Sequence, residues 1–290
     1  MAYWIDYGLS FTAPNPVSWR FPVAFPIVFI LAALVMMVYL PESPRYLILN
    51  GREEEALSVL SALNETRITS EDTKREFLMM KHAIIRMASG GSFLNMFTMG
   101  KNRYLHRTLL AVALQIMSQF TGVNLFVQYL GGMFRSQLQF EAEMSLLLAG
   151  SCSTAFFLAS LVAVIGLDRF WGRRALTMFG AAGMCMCMIV LAALASIGTQ
   201  NAYYGMAAFL FVYTSFFSFG WQGMSWLWAV ELIPLNIRGP ANALSTAANW
   251  LSNFLVVLLT PVMFTNITYR TYVFFAVWYV NSKDICRSTH

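Results

Sequence analysis

An all-helical membrane protein is the fold class that this sequence predicts, on three observations. Hydrophobic residues fill 58% of the 290 positions and charged residues only 11%, against roughly 45–50% and about 25% in soluble domains. The apolar residues form long runs, at 21–40, 106–130, 144–167, 175–197, 203–232 and 239–264, and a further run begins at Thr271. A span needs about 20 such residues, because each adds about 1.5 Å across a hydrocarbon layer about 30 Å thick. The basic residues fall in alternate gaps: ten of the nineteen Lys and Arg lie from Arg45 to Arg107, Arg169, Arg173 and Arg174 follow the third run, and Arg238 follows the fifth. The other gaps hold only Arg20, Arg135 and Arg270. Positive charge favours the cytoplasmic side, so the pattern predicts six spans and a stub. Residues 45–107 and 168–174 then face the cytosol, while Arg135 and Asn266 face outward.

Taken in order, the start MAYWIDYGLS has no basic segment ahead of a short apolar core and is not a cleavable signal peptide. After the first run, YLPESPRYLILNGREEEA passes abruptly to charge. Ser43 suits a helix cap, Pro44 the first helical position, Gly51 the residue past the end, and Glu53 to Glu55 the positive start of a second helix. EALSVLSALN and FLMMKHAII repeat apolar residues at spacings of three and four, which predicts amphipathic helices on the cytosolic face. Cys152, Cys185 and Cys187 fall inside apolar runs and Cys286 in the tail, so no disulfide framework is expected. No histidine or carboxylate stands near Cys185 and Cys187, so no metal and no cofactor are expected either. Without a nucleophile–base pair or a phosphate loop, the chain does not read as an enzyme, and no nucleic-acid partner is expected.

Three charged sets stand where a span meets the cytosol: Glu42 with Arg45, Asp168 with Arg169, Arg173 and Arg174, and Glu231 with Arg238. Such groups are costly in lipid unless paired, and at helix exits they can pair with neighbouring helix ends. The sets predict an inner face latched by ion pairs.

Four stretches carry a resemblance. LPESPR at 40–45, SQFTGVNLFVQY at 118–129, DRFWGRR at 168–174 and WLWAVELIPLNIRGPANALSTAANWLSNF from Trp226 resemble, in order, signatures of the sugar porter family of the major facilitator superfamily, specifically its fungal members. The resemblance implies that Gln119 and Asn124 of the seventh helix are sugar-hydroxyl ligands, that Trp226 of the tenth packs on the sugar, and that Asn249 and Trp250 of the eleventh lie beside it. The residue types fit, since amides serve hydroxyls and an indole suits an apolar ring face. The sequence departs from the pattern at Ser118, where relatives have a first glutamine, at Gln128, where they have a tyrosine, and at Gly223 and Met224, where many have a proline.

The family has twelve helices in two six-helix halves, with substrate held between them. The resemblance, from about Trp4 to Val277, therefore implies the C-terminal half plus the sixth-helix region. Residues 1–20 would end the fifth helix, 21–40 form the sixth, 41–105 a cytosolic helical linker, 106–280 helices seven to eleven with a truncated twelfth, and 281–290 an aberrant tail. Lys283, Asp284 and Arg287 interrupt the twelfth run, so an incomplete copy, lacking the N-terminal half and unable to transport alone, is expected. The function implied is transport of a hexose, related sugar or polyol by alternating access across the plasma membrane, proton-coupled in the complete protein. The alternatives are a non-transporting sugar sensor and an inactive fragment.

Overall fold

The computed structural model describes residues 2–12, 14–90, 93–100, 103–136, 138–167 and 172–278. Asp168 and Arg169, and the tail at 281–290, lie outside the described residues. Everything regular in them is helical: α1 (Ala2–Ser10), α2 (Val17–Tyr39), α3 (Pro44–Leu49), α4 (Glu53–Leu63), α5 (Glu71–Gly90), α6 (Tyr104–Phe120), α7 (Val123–Ser136), α8 (Ala142–Leu167), α9 (Arg173–Ile197), α10 (Gln200–Phe217), α11 (Met224–Leu232) and α12 (Arg238–Ile267). A further helix, α13, covers 270–278. Six segments are long and apolar enough to cross a membrane: Val17–Tyr39, Tyr104–Arg135, Ala142–Ile165, Arg173–Ile197, Gln200–Leu232 and Leu235–Ile267. These coincide with the six runs.

Two compact units share the chain. One comprises Val23–Leu105 and Ile233–Ala241. Its short helices form where the linker predicts them. Pro44 opens α3, and although Ser43 holds the cap position its side chain makes no capping bond. The α3 end is closed by backbone: Gly51 takes φ +76°, its N–H donates to Ile48 O at 3.1 Å, and Arg52 N–H donates to Leu47 O at 2.9 Å. That pair of bonds needs a left-handed residue, which glycine supplies without strain. Glu53, Glu54 and Glu55 fill the first turn of α4, where the helix dipole favours them. Arg52 also pairs with Glu55 at 2.5 Å, and this contact holds the Glu55 carboxyl below its ordinary range. Leu47, Ile48, Ala56, Leu60, Phe77 and Ile84 are buried together. Burying each large side chain removes apolar surface from water, worth about 1.5–3 kcal/mol apiece. Polar ties add register: Asn64 Nδ2 donates to Glu76 Oε2 at 2.6 Å, and Lys81 pairs with Glu53 at 2.7 Å.

The second unit takes in the described parts of Met1–Pro22, His106–Leu232 and Asn242–His290. In lipid, apolar burial does not drive helices together, so close packing and internal hydrogen bonds must. Hydroxyls along the spans bond back within their own helix, as Ser153 to Ala149 O at 3.0 Å and Thr260 to Val256 O at 2.6 Å. Glycine lets backbones come close: a Cβ on Gly220 would sit 2.7 Å from Gly180 Cα, and one on Gly180 would sit 2.8 Å from Gly220 Cα. The backbones of α9 and the segment Ser218–Gln222 therefore touch, and Trp221 Nε1 donates across the contact to Thr177 O at 3.2 Å.

The second and fifth long runs are not continuous α-helices. The second breaks between α6 and α7, where Gly122 takes φ +81° and lies against Phe275 and Met188, about 3.1–3.2 Å from where a Cβ would stand. The fifth passes through a π-helical turn, Ser218–Gln222, before α11. Periodicity alone does not register a single left-handed residue or a one-residue widening, so each run reads in the sequence as one span.

Candidate substrate site

The two breaks flank a cavity of about 340 Å³, within the usual range for small-molecule sites of about 300–1,000 Å³. It is lined from α1, α6, α7, α8, α10, α11, α12 and the π-turn. All five binding residues expected from the sequence line it: Gln119, Asn124, Trp226, Asn249 and Trp250.

Gln119 is the hub. Its Nε2 donates to Asn249 Oδ1 at 2.5 Å, and its Oε1 accepts from Asn124 Nδ2 and, at 3.4 Å, from Asn253 Nδ2. Three helices are thereby joined by amides that are otherwise expensive in an apolar layer. Gln119 and Asn124 are each 9% exposed and Asn249 3%. Since Gln119 uses its carbonyl toward Asn124 and its amino group toward Asn249, Asn124 Oδ1 remains an acceptor and Asn249 Nδ2 a donor for other partners. Trp226 and Trp250 complete the wall as residues that stay 42% and 62% exposed.

Several lining residues escaped the sequence reading. Tyr3, from the short α1, donates to Val127 O at 2.6 Å, and its neighbour Trp4 donates to Thr154 Oγ1 at 2.8 Å with its ring against Gly150. Nothing in the sequence signals so distant a contact. Asn253 was legible, because it stands four residues after Asn249 and so shares its face of α12. Cys152, Ser153, Gln222 and Ser225 also line the wall, and Ser118 is there in place of the family's glutamine. No Asp, Glu, Lys, Arg or His lines the cavity among the described residues.

The charged sets pair differently from their order along the chain. Arg173, at the start of α9, meets Glu231 of α11 at 2.9 Å, both about two-fifths exposed. Arg238 Nη2 donates to Ile233 O at 3.4 Å. Glu42 and Arg45 are exposed and in no ion pair among the described residues, and Glu42 acts on Arg52 only through its field.

The sequence matches the family described as sugar (and other) transporter over residues 1–282. The chain belongs to that family. This places the transporter-family chain among multi-pass membrane proteins rather than enzymes. Sugar transporter STL1 of Saccharomyces cerevisiae is 35% identical over 279 residues, covering 96% of this chain and 48% of that protein. The major facilitator superfamily transporter mfsA of Aspergillus fumigatus is 31% identical, covering 96% and 51%. The chain spans about half the length of the curated relatives it matches. Among solved structures, the proton:xylose symporter XylE bound to 6-bromo-6-deoxy-D-glucose shares the fold with a TM-score of 0.76 at 24% identity, over 96% of this chain and 58% of that one. The inward open form of the xylose transporter XylE from E. coli gives 0.73 at 21%, over 99% and 58%. A C-terminal half of the major facilitator fold accounts for the helices of this transporter-family chain.

Proposed function

We propose that this chain supplies one wall of a site for a neutral sugar or polyol, carried across the plasma membrane by alternating access when the rest of the transporter is present. The observation that supports the reading is the amide hub with two indole faces in an uncharged cavity. Hydroxyl-rich neutral substrates match it, because each hydroxyl both donates and accepts while carbon-bound hydrogens suit the tryptophan rings. A carboxylate would find no cation among the described residues of this wall. In this reading Gln119, Asn124 and Asn249 hold hydroxyls, and Trp226 and Trp250 cover the ring or chain. The pair Arg173–Glu231 belongs to a cytosolic latch in this reading. Opening it on one side only is what alternating access requires of one half rocking against the other. No carboxylate for proton coupling lines this wall among the described residues.

The test joins this chain to the amino-terminal helices of STL1 and expresses the fusion in yeast devoid of sugar and polyol uptake. Saturable uptake of a labelled hexose, pentose or polyol, lost in Asn249→Ala, is expected. A fusion that reaches the cell surface and takes up none of them, or takes up only a carboxylate, would overturn the reading.

A further inference from the structure

Between α5 and α6 lies a short 3₁₀ turn, Phe93–Phe97. Met96 is fully buried, whereas Phe93, Leu94, Phe97 and Met99 are between 50% and 79% exposed. Four large apolar side chains within seven residues form a patch of the kind that marks a contact surface. Its position points to the occupant. The span that opens with α6, Tyr104–Arg135, has 32 residues and reaches at most about 48 Å at 1.5 Å per residue, close to the roughly 40–45 Å of hydrocarbon and headgroup layers together. The first turn of α6 therefore stands among the headgroups. The chain turns at Arg103, which takes φ +47°, and the Leu105 N–H donates to Thr98 O at 3.2 Å. Thr98 is thereby tied to that first turn, with Phe97 and Met99 on either side of it in the chain. Charge points the same way. No Asp or Glu occurs from Phe77 to Phe140, while Arg86, Lys101, Arg103 and Arg107 flank the turn in sequence.

We infer that the segment Phe93–Met99 is a docking surface for the bilayer itself, specifically for anionic phospholipid in the leaflet where α6 begins. Its apolar side chains enter the boundary between headgroups and acyl chains, and Arg103, exposed at the turn into α6, meets the anionic headgroups. Interfacial segments hold by these same two means, buried apolar area and attraction of basic residues to anionic lipid. The cytoplasmic leaflet carries that lipid, and the distribution of basic residues assigns this end of α6 to it. Carboxylates would be repelled there, and the acidic triplet Glu53–Glu55 lies on α4 instead. Buried Met96 fixes the turn to the protein. The contact thus gives the linker a hold on the membrane surface in addition to its chain connections to the spans.

The test puts the photocrosslinking residue p-benzoylphenylalanine in place of Leu94 in the 290-residue chain, reconstituted in nanodiscs of phosphatidylcholine and phosphatidylserine in equal amounts. Leu94 is 72% exposed, so the bulkier side chain has room. After illumination, mass spectrometry of the intact chain identifies what the residue has bonded. A phospholipid adduct is expected, with phosphatidylserine exceeding phosphatidylcholine about two- to fivefold, the upper figure being what one cation at an anionic surface is worth. The excess should shrink toward equality in Arg103→Gln, and also at about 1 M salt, where charges are screened within about 3 Å. The same residue in place of Glu54, exposed on α4, should give no lipid adduct. Crosslinking to a second copy of the chain, or no adduct from position 94, would overturn the docking surface. Equal yields of the two lipids, or as much lipid bonded from position 54 as from 94, would overturn it too. In the fusion with the STL1 helices the adduct should still be lipid, and a crosslink to the added helices instead would overturn the assignment to lipid. None of these outcomes depends on the substrate.

Discussion

Replacing Gly220 with alanine tests whether the contact between α9 and the π-turn holds the cavity in shape. The new Cβ would stand 2.7 Å from Gly180 Cα and 3.1 Å from Leu176 O. Both are backbone atoms, so no rotamer change can relieve the overlap, and the segments must part by about 0.7 Å to regain ordinary contact. Overpacking of this kind costs about 1–3 kcal/mol. The helix preference of alanine over glycine returns up to about 1 kcal/mol, so from the middle of that range a net loss of about 1 kcal/mol remains. Gly131→Ala is the control, since it lies in α7 with nothing within 4 Å of its Cβ position, and it should be neutral or slightly stabilising. Unfolding of each purified variant in mixed micelles against added SDS measures the difference. Because Gln222 and Ser225 follow directly on the contact, Gly220→Ala should also weaken sugar binding while Gly131→Ala does not. A Gly220→Ala chain as stable as the parent within about 0.5 kcal/mol would refute the packing argument.

Gln119→Leu keeps volume but strips Asn124 and Asn249 of their partner, and each orphaned amide costs about 1–3 kcal/mol; the SDS midpoint should fall clearly, and an unchanged midpoint would remove the hub from the stability of the bundle. Arg173→Gln breaks an exposed pair worth at most about 1 kcal/mol, so its effect on the midpoint should vanish in high salt; a larger loss that salt does not touch would contradict a solvent-exposed latch. Cysteines placed at Ser136 and Ser70 should react with an impermeant thiol reagent in intact cells at 136 only, and of the two N-x-T sequons Asn266 should accept a glycan while Asn64, whose amide is held by Glu76, should not. Labelling at 70 instead would reverse the predicted sidedness.

The number and place of the spans were legible because lipid thickness imposes a length. The linker helices were legible because Gly51 and the Glu53–Glu55 triplet mark ends by local chemistry. The site was legible only through resemblance: Gln119 and Asn249 lie 130 positions apart, and no local pattern says that two amides on separate helices will face each other. Tyr3 lies 124 positions from Val127 and had no signal at all. The crossing of ion pairs was hidden for the same reason, since Arg173 prefers Glu231 to its own neighbours only once α9 and α11 are side by side.

The polar residues inside the apolar runs have two roles, and the structure separates them. A break in a helix within lipid releases backbone groups that must find partners inside the protein. At the break between α6 and α7 the carbonyl of Thr121 is met by the hydroxyl of Tyr213, fully buried on α10, at 2.7 Å. Gln115 serves the Ser225 carbonyl after the π-turn in the same way. Tyr213 and Gln115 thus answer the backbone, whereas Gln119, Asn124 and Asn249 answer one another at the cavity. Tyr213→Phe isolates the backbone role, because the ring can keep its edge contact with Phe126, centroids 4.5 Å apart, and only the hydroxyl is lost. Losing the hydroxyl's bond to the Thr121 carbonyl should cost about 0.5–1.5 kcal/mol and speed hydrogen exchange at the amides of 122–126. The backbone amides around Asn249 on α12 should stay slow, since Asn249 is held by Gln119. Exchange at the break as slow as in the parent would mean that Gly122 and its packing hold the kink without the tyrosine.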